Sequence, residues 1–194
     1  MEEQEFIARS QAGDVEAFNR LVESYQQMVY NLALRMLGNA ETAEDATQDA
    51  FLSAYRAIGK FRGGSFKAWI FRIVANSCRD RMRSARRASI TSLDNLMEEA
   101  GDIIPDDKAE SPEDYALRRE LAGFLNENLA RLPEDQRLVV VLSDIQGLSY
   151  EEISQATNSS LGTVKSRLNR GRSRLRDLLL QRGELLPAEF RHDK

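Results

Sequence analysis

Residues 148–180, LSYEEISQATNSSLGTVKSRLNRGRSRLRDLLL, constrain this chain more than any other stretch, because they spell two helices separated by a tight turn. Ser149 followed three residues later by Glu152 is a capping box, in which each side chain satisfies an orphan backbone donor at a helix start. The helix so begun carries Ile153 and Ala156 inward. It stops at Thr157, Asn158, Ser159 and Ser160, whose short polar side chains compete with helical hydrogen bonds and favour turns. Ser160 is placed to cap a second helix, in which Leu161, Val164, Leu168, Gly171, Leu175 and Leu178 recur at spacings of three and four and form one apolar stripe.

Turning about 100° per residue away from that stripe, the opposite side collects Gly162, Lys165, Ser166, Asn169, Arg170 and Ser173. Thr163, Arg167, Arg172 and Arg174 lie on its shoulders. Arg and Lys donate to guanine edges, Asn pairs with adenine, and Ser and Thr bond bases or phosphates. A basic amphipathic helix alone is commonly just solvated. Behind a capped helix and a short turn it reads as the major-groove element of a helix-turn-helix, with Ser160, Thr163, Lys165, Ser166, Arg167, Asn169 and Arg170 as the expected DNA contacts.

A net charge of −4 argues against nucleic-acid binding only if charge is evenly spread, and it is not. Residues 60–87 hold Lys60, Arg62, Lys67, Arg72, Arg79, Arg81, Arg83, Arg86 and Arg87 against Asp80. Residues 94–114 hold Asp94, Glu98, Glu99, Asp102, Asp106, Asp107, Glu110, Glu113 and Asp114 against Lys108. The C-terminal helix is basic again, so two cationic blocks flank an acidic one. One cysteine, Cys78, and one histidine, His192, exclude a disulfide framework and a zinc site, and no metal or other cofactor is expected. No apolar run approaches the ~20 residues of a membrane span, and the acidic start MEEQEF is unlike a signal peptide. A cytoplasmic protein without membrane insertion is expected.

The rest of the chain reads as helices. Residues 4–11 suggest a short one ending at Gly13, with Asp14 capping the next. From Val15 to about Leu37 the apolar residues Phe18, Leu21, Val22, Tyr25, Val29, Leu32 and Met36 keep helical period. In residues 42–58, Ala43, Ala46, Ala50, Ala54 and Ala57 form a small-residue strip. Phe51, Leu52, Tyr55 and Ile58 add bulk there, and Glu44, Asp45, Gln48 and Asp49 line a polar face that solvation alone would explain. The loop GKFRGGS precedes a helix over residues 66–83, which mixes Phe66, Trp69, Ile70 and Phe71 with Arg72, Asn76, Arg79, Arg81 and Arg83. Aromatic and basic side chains together suit single-stranded DNA. We expect Trp69 and Phe71 in the core and an exposed Phe61 as the base contact.

Periodicity fades from Ala88 to about Glu110, where Ser, Asp, Gly and Pro accumulate. Ser111-Pro112-Glu113-Asp114 then starts a helix over residues 115–132, packing through Leu117, Leu121, Phe124, Leu125 and Leu129. Leu132-Pro133-Glu134-Asp135 starts another, with Leu138, Val139, Val141 and Leu142 buried before Gly147. The expected fold is all-α: a helical domain over 1–88, an acidic flexible linker over 89–111, a smaller helix-turn-helix domain over 112–182 and a tail over 183–194.

In its segments DVEAFNRLVESYQQMVYNLALRML, AEDATQDAFLSAYRAIGKFRGGSFKAWIFRIVANSCRDRMR and LPEDQRLVVVLSDIQGLSYEEISQATNSSLGTVKSRLNRGRSRLR, the chain resembles bacterial sigma factors of the extracytoplasmic-function (ECF) group of the sigma-70 family. The likeness runs over nearly its whole length. It implies a non-enzymatic subunit that binds core RNA polymerase, directs it to promoter DNA and is held by an anti-sigma factor. In the family, the helix matching residues 43–58 contacts the polymerase clamp, which gives Glu44, Asp45, Gln48 and Asp49 a polymerase-binding role. The loop and helix matching residues 60–83 grip the melted non-template strand, so Phe61, Arg62, Trp69, Arg72, Asn76 and Arg79 become the melting-element candidates. Asp80 stands where relatives often carry a neutral or basic residue. The helix-turn-helix would read the duplex of the upstream promoter element, with Asn169, a variable position, as a determinant of promoter choice.

A stand-alone helix-turn-helix regulator is the nearest rival; it leaves the aromatic-basic loop without a role and usually needs a dimer, whereas no obligate homo-oligomer is expected here. An enzyme acting on nucleic acid lacks its signatures: no paired carboxylates in an apolar setting, no Gly-rich phosphate loop, no metal cluster. The charge map also suggests that the acidic residues 94–114 dock on a basic face of the free protein.

Overall fold

The acids of the first residues set where the first helix starts. In a computed structural model that describes residues 2–91 and 112–181, helix α1 spans Glu2–Gln11, two residues longer at its start than expected, because Glu2, Glu3 and Glu5 sit favourably on the N-terminal dipole. Helix α2 (Val15–Leu37) is capped by Asp14, whose Oδ1 accepts from the Ala17 amide at 3.1 Å, and is closed by Gly38 at a φ of 79°, a left-handed turn that glycine adopts without strain. Helix α3 (Ala40–Ala57) starts ahead of Thr42 because Asn39 is the cap, accepting from the Thr42 amide at 2.9 Å. A 3-10 turn at Ile58–Lys60 leads into the Gly63-Gly64 loop and helix α4 (Phe66–Thr91).

Helix α4 overruns the expected linker start at residue 89. Residues 84–91 hold no Gly or Pro, and Ala and Arg carry the helix onward. The remaining linker, with the acids proposed to dock on a basic face, lies outside the described residues. Helix α5 (Pro112–Ala130) begins at the expected proline. Helix α6 (Glu134–Val140) passes into a π-helical turn, Val141–Ile145, ahead of Gly147; α7 (Tyr150–Thr157) and α8 (Leu161–Gln181) complete the chain. All described elements are helical, as the periodicity predicts.

Helices α2, α3 and α4 form the N-terminal core. Ala43, Ala46, Ala50 and Ala54 are fully buried, so α3 lies close against its neighbours. Of the residues expected to add bulk there, Phe51 packs partly buried against the core and the exposed Tyr55 still sets its ring edge-on to Phe18 at 5.1 Å, whereas Leu52 is exposed. In the C-terminal module α8 crosses α6 at Gly171, where a Cβ would lie 2.8 Å from Val140 Cγ2 and 3.2 Å from the Gln136 carbonyl oxygen. Val164 and Leu168 fill the same core, while Leu161, expected in that stripe, is exposed at the helix's first turn.

The two modules do not stand apart. One apolar cluster runs from α1–α4 into α5–α8, with α7 on α4 and α5 and α6 against the end of α2. Buried Arg137 joins them, its Nη1 donating to the Met36 carbonyl at 2.7 Å.

Candidate nucleic-acid interface

Local sequence sets up the two-helix unit α7–α8. Ser149 Oγ accepts from the Glu152 amide at 3.2 Å and Glu152 Oε2 accepts from the Ser149 amide at 2.9 Å, the reciprocal pair the spacing predicts. Asn158 takes a φ of 49°, a left-handed conformation that Asn tolerates, and Ser154 Oγ donates to the Ser159 carbonyl at 2.6 Å to tighten the turn. Ser160 Oγ then accepts from the Thr163 amide at 3.2 Å and starts α8. On α8, Lys165, Ser166, Asn169 and Arg170 are exposed on one side, and Arg170 donates to the Ser166 hydroxyl one turn back. Arg167 is held: its Nη2 lies 2.6 Å from Asp135 Oδ2 and its Nη1 donates to Ser159 Oγ at 3.0 Å.

The second basic block is built around rings. Phe61, expected to be exposed, is buried, because its ring packs 5.7 Å from that of Phe66 and 5.4 Å from that of Trp69, centroid to centroid. Phe71 is fully buried as expected, and Trp69 is half-buried. From α1, Gln11 Nε2 donates to the carbonyls of Ile58 (3.1 Å) and Phe61 (2.8 Å), which fixes the loop from behind. Ser65 caps α4, accepting from the Ala68 amide at 3.1 Å. A cleft of about 440 Å³ opens beside the rings, lined by Lys60, Arg62, Trp69 and Arg72 on one side and by Gln155 and Asn158 of the other module. Cationic side chains and aromatic rings are thus brought together at one cleft. Asn76 is exposed further along α4, whereas Arg79 is mostly covered, its Nε 3.3 Å from Glu134 Oε1 and its Nη2 3.4 Å from Asp135 Oδ1.

The third expected surface lies on α3. Glu44, Asp45, Gln48 and Asp49 are exposed, and Arg81 of α4 pairs with Asp45 at 3.4 Å and with Asp49. Leu52 and Tyr55 stand exposed on the same helix, giving an acidic surface with apolar knobs.

Sequence reasoning missed the residues that join the modules. Ser65 Oγ donates to Glu152 Oε1 at 2.7 Å, and Lys67 Nζ donates to the Gln146 carbonyl at 2.8 Å. Accepting from the Ser149 amide, with help from Ser65 and Lys67, holds the Glu152 carboxyl below its ordinary range despite some burial. Glu152 signalled only its capping role, and Glu134 and Asp135 signalled only a helix start. Gln11 gave no signal. Among the described residues no cluster of His, Cys, Asp and Glu could hold a metal, and no helix is long and apolar enough to cross a membrane.

Comparison with known proteins bears on both modules. Residues 21–88 match the family described as Sigma-70 region 2, and residues 125–175 match Sigma-70, region 4. The chain is 36% identical over 176 residues to the RNA polymerase sigma-H factor of Pseudomonas aeruginosa, covering 88% of this chain and 90% of that one. It is likewise 36% identical over 179 residues to the ECF RNA polymerase sigma factor SigW of Bacillus subtilis, covering 89% and 94%. Among solved structures it is similar to the sigma factor RpoE in complex with the anti-sigma factor NepR from Bartonella quintana, with a TM-score of 0.68, 26% identity and coverage of 84% of this chain and 96% of that one.

Proposed function

Because this chain belongs to the extracytoplasmic-function group of the sigma-70 family, RNA polymerase sigma factors that initiate transcription and are not enzymes, we propose that its two modules divide one promoter between them. The C-terminal helix-turn-helix reads the duplex of the upstream element. The loop and α4 take the melted non-template strand. The observation that carries this reading is the exposed row Lys165, Ser166, Asn169 and Arg170 on α8, whose start is fixed by the Ser160 cap directly behind the Ser149-capped α7.

Phosphate contacts from both basic blocks supply most of the affinity, and a few side chains supply base choice. Ser160, Thr163 and Arg167 flank the reading row as phosphate contacts. Melting follows from capture: unstacking a base costs a few kcal/mol, offset by contacts made only in the open state. Lys60, Arg62 and Arg72 would hold the strand backbone, with the Phe61 and Trp69 rings as the wall for a base and Asn76 and Arg79 further along the strand. The α3 surface of Glu44, Asp45, Gln48 and Asp49, with exposed Leu52 and Tyr55, is the polymerase-binding face. An anti-sigma factor is the expected inhibitor, as one is bound to the related RpoE. The site of action is the cytoplasm, where core polymerase works. The domains run over 1–88 and 112–182, with α4 reaching three residues beyond the first.

The test combines purified chain with core polymerase on a genomic library and sequences the transcripts. Initiation from a discrete promoter set is expected. Asn169→Ala should change which promoters are used, whereas Arg72→Ala should lower open-complex yield at all of them. A chain that adds no initiation refutes the reading and leaves a stand-alone helix-turn-helix regulator.

A further inference from the structure

We propose that Gln11 is a positioning residue for promoter opening: from α1 it holds the turn at residues 58–61, so that Lys60 and Arg62 stand in place before the strand arrives. The inference rests on the reading of the loop and α4 as the strand-capture element.

The turn is short and closely bonded. The Phe61 amide donates to the Ile58 carbonyl at 3.0 Å, and Gln11 Nε2 donates both to that carbonyl (3.1 Å) and to the Phe61 carbonyl (2.8 Å). One side-chain amide therefore bridges the first and last residues of the turn. Phe61 buries its ring against Phe66 and Trp69, while its neighbours Lys60 and Arg62 are exposed. With the ring held on one side and the carbonyl on the other, the backbone at Phe61 cannot rotate, and the directions in which the two cations leave the chain are set. Beyond Arg62 the restraint ends. Gly63 (φ 93°) and Gly64 (φ 89°) lie in the left-handed region, and glycine backbone, having no Cβ, has the most freedom to lose. A loop so loose on its C-terminal side depends on a hold from its N-terminal side.

Gln11 can supply that hold because α1 is itself fixed at both ends. Near its start Tyr25 Oη donates to Glu3 Oε2 at 2.7 Å, and near its end Arg9 Nε donates at 2.9 Å to Asp14, the residue that caps α2. Ile7 is buried in the core between them. Gln11 itself is exposed, so water can take over both acceptors when the amide is removed, and its bonds add little to stability. What they add is order: the cations meet phosphates without first arranging the backbone that carries them. Helix α1 thereby acts on DNA that it does not touch.

Three variants of the full chain test this. Gln11→Met keeps the length of the side chain without the donor, and Gln11→Glu keeps its shape but turns an acceptor toward two carbonyls. Ser10→Ala removes a bond internal to α1, from the Ser10 hydroxyl to the Phe6 carbonyl at 2.6 Å. Trp69, the single tryptophan of the chain, stands 5.4 Å from the Phe61 ring, so acrylamide quenching of its emission reports on the loop in the free protein. The same chains with core polymerase are followed on one promoter, initial duplex binding by filter retention and opening by permanganate reactivity of unpaired thymines. Both Gln11 variants should show greater quenching and open the promoter roughly three- to tenfold more slowly, in proportion to the fraction of loops out of place. Their initial duplex binding and urea midpoint should stay at the wild-type values, and Ser10→Ala should match the wild type in quenching and opening. Unchanged quenching or unchanged opening in the Gln11 variants overturns the inference, as does a loss of initial binding as large as the loss of opening, or an equal loss in Ser10→Ala. A wild-type chain that opens the promoter, and opens it less as Arg72→Ala, keeps the strand-capture reading whatever Gln11 does; a wild-type chain that opens none ends both.

Discussion

Replacing Arg137 with methionine probes the joint between the modules most directly. The side chain is 8% exposed, and three carbonyls accept from it: Met36 at 2.7 Å, Leu132 at 3.4 Å, and Ala130. These lie at and just beyond the ends of α2 and α5, where a helix leaves carbonyls without partners of its own. Hydrogen bonds from a charged donor contribute about 1.5–3 kcal/mol each, and the 3.4 Å bond contributes little, so removing the guanidinium costs about 3–6 kcal/mol gross. Against this, burial lowers the Arg137 pKa, the mark of a charge held at a desolvation cost, and methionine removes that cost while keeping most of the volume. The net loss should be about 2–3 kcal/mol.

Urea unfolding followed by circular dichroism measures it. The midpoint of Arg137→Met should fall, and because the Met36 bond is the one that crosses between modules, the transition should broaden as they begin to unfold separately. Arg137→Lys should recover part of the loss, since an ammonium reaches fewer of the three acceptors. A methionine variant as stable as the wild type, with one sharp transition, would refute the reasoning: the ion would then be a dispensable filler of the space it occupies.

Gly171→Ala places a methyl 2.8 Å from Val140 Cγ2 and near the Gln136 carbonyl, and should cost about 1–3 kcal/mol in the same urea assay; an unchanged midpoint would show that α8 can slide off α6. The Glu152 pKa is depressed from its ordinary 4.5, first by the Ser149 amide, so its contribution is complete above that value and lost as pH falls through the depressed one. Urea unfolding followed by circular dichroism at a series of pH values should therefore show stability falling below about pH 4.5, with the step reduced in Glu152→Gln and an equal step in that variant refuting the assignment. Burial pushes the Cys78 thiol up to about 12, so a maleimide at pH 8 should leave it unmodified in the native chain and react in urea; rapid native labelling would mean that α4 opens far more often than its packing implies.

What the sequence made legible was local. The capping box at Ser149, the turn at Asn158 and the alanine strip of α3 each depend on residues within one or two turns of one another, and the physics that specifies them acts over that distance. Phe61 was misread because loop position argues for exposure, whereas its burial depends on Phe66 and Trp69 from the next helix and on Gln11 from α1, 50 residues away. Leu161 keeps the period of its stripe and still falls outside the core, exposed in the first turn of α8, which periodicity alone does not reveal.

Charge shows the same limit and what lies beyond it. The linear map sorted acids and bases into separate blocks and suggested that the linker acids would meet the basic faces. In the described residues the meeting is made by other acids, Glu134, Asp135 and Glu152, whose first duty is to start α6 and α7. A carboxylate in the first turn of a helix is already favoured by the dipole. Turning the same group toward Arg79, Arg167 or Ser65 adds a long-range contact and leaves the local sequence signal unchanged. Helix-start acids are therefore where a chain of this composition can hide a contact between modules, since the residue that makes it is fully accounted for by its nearest neighbours.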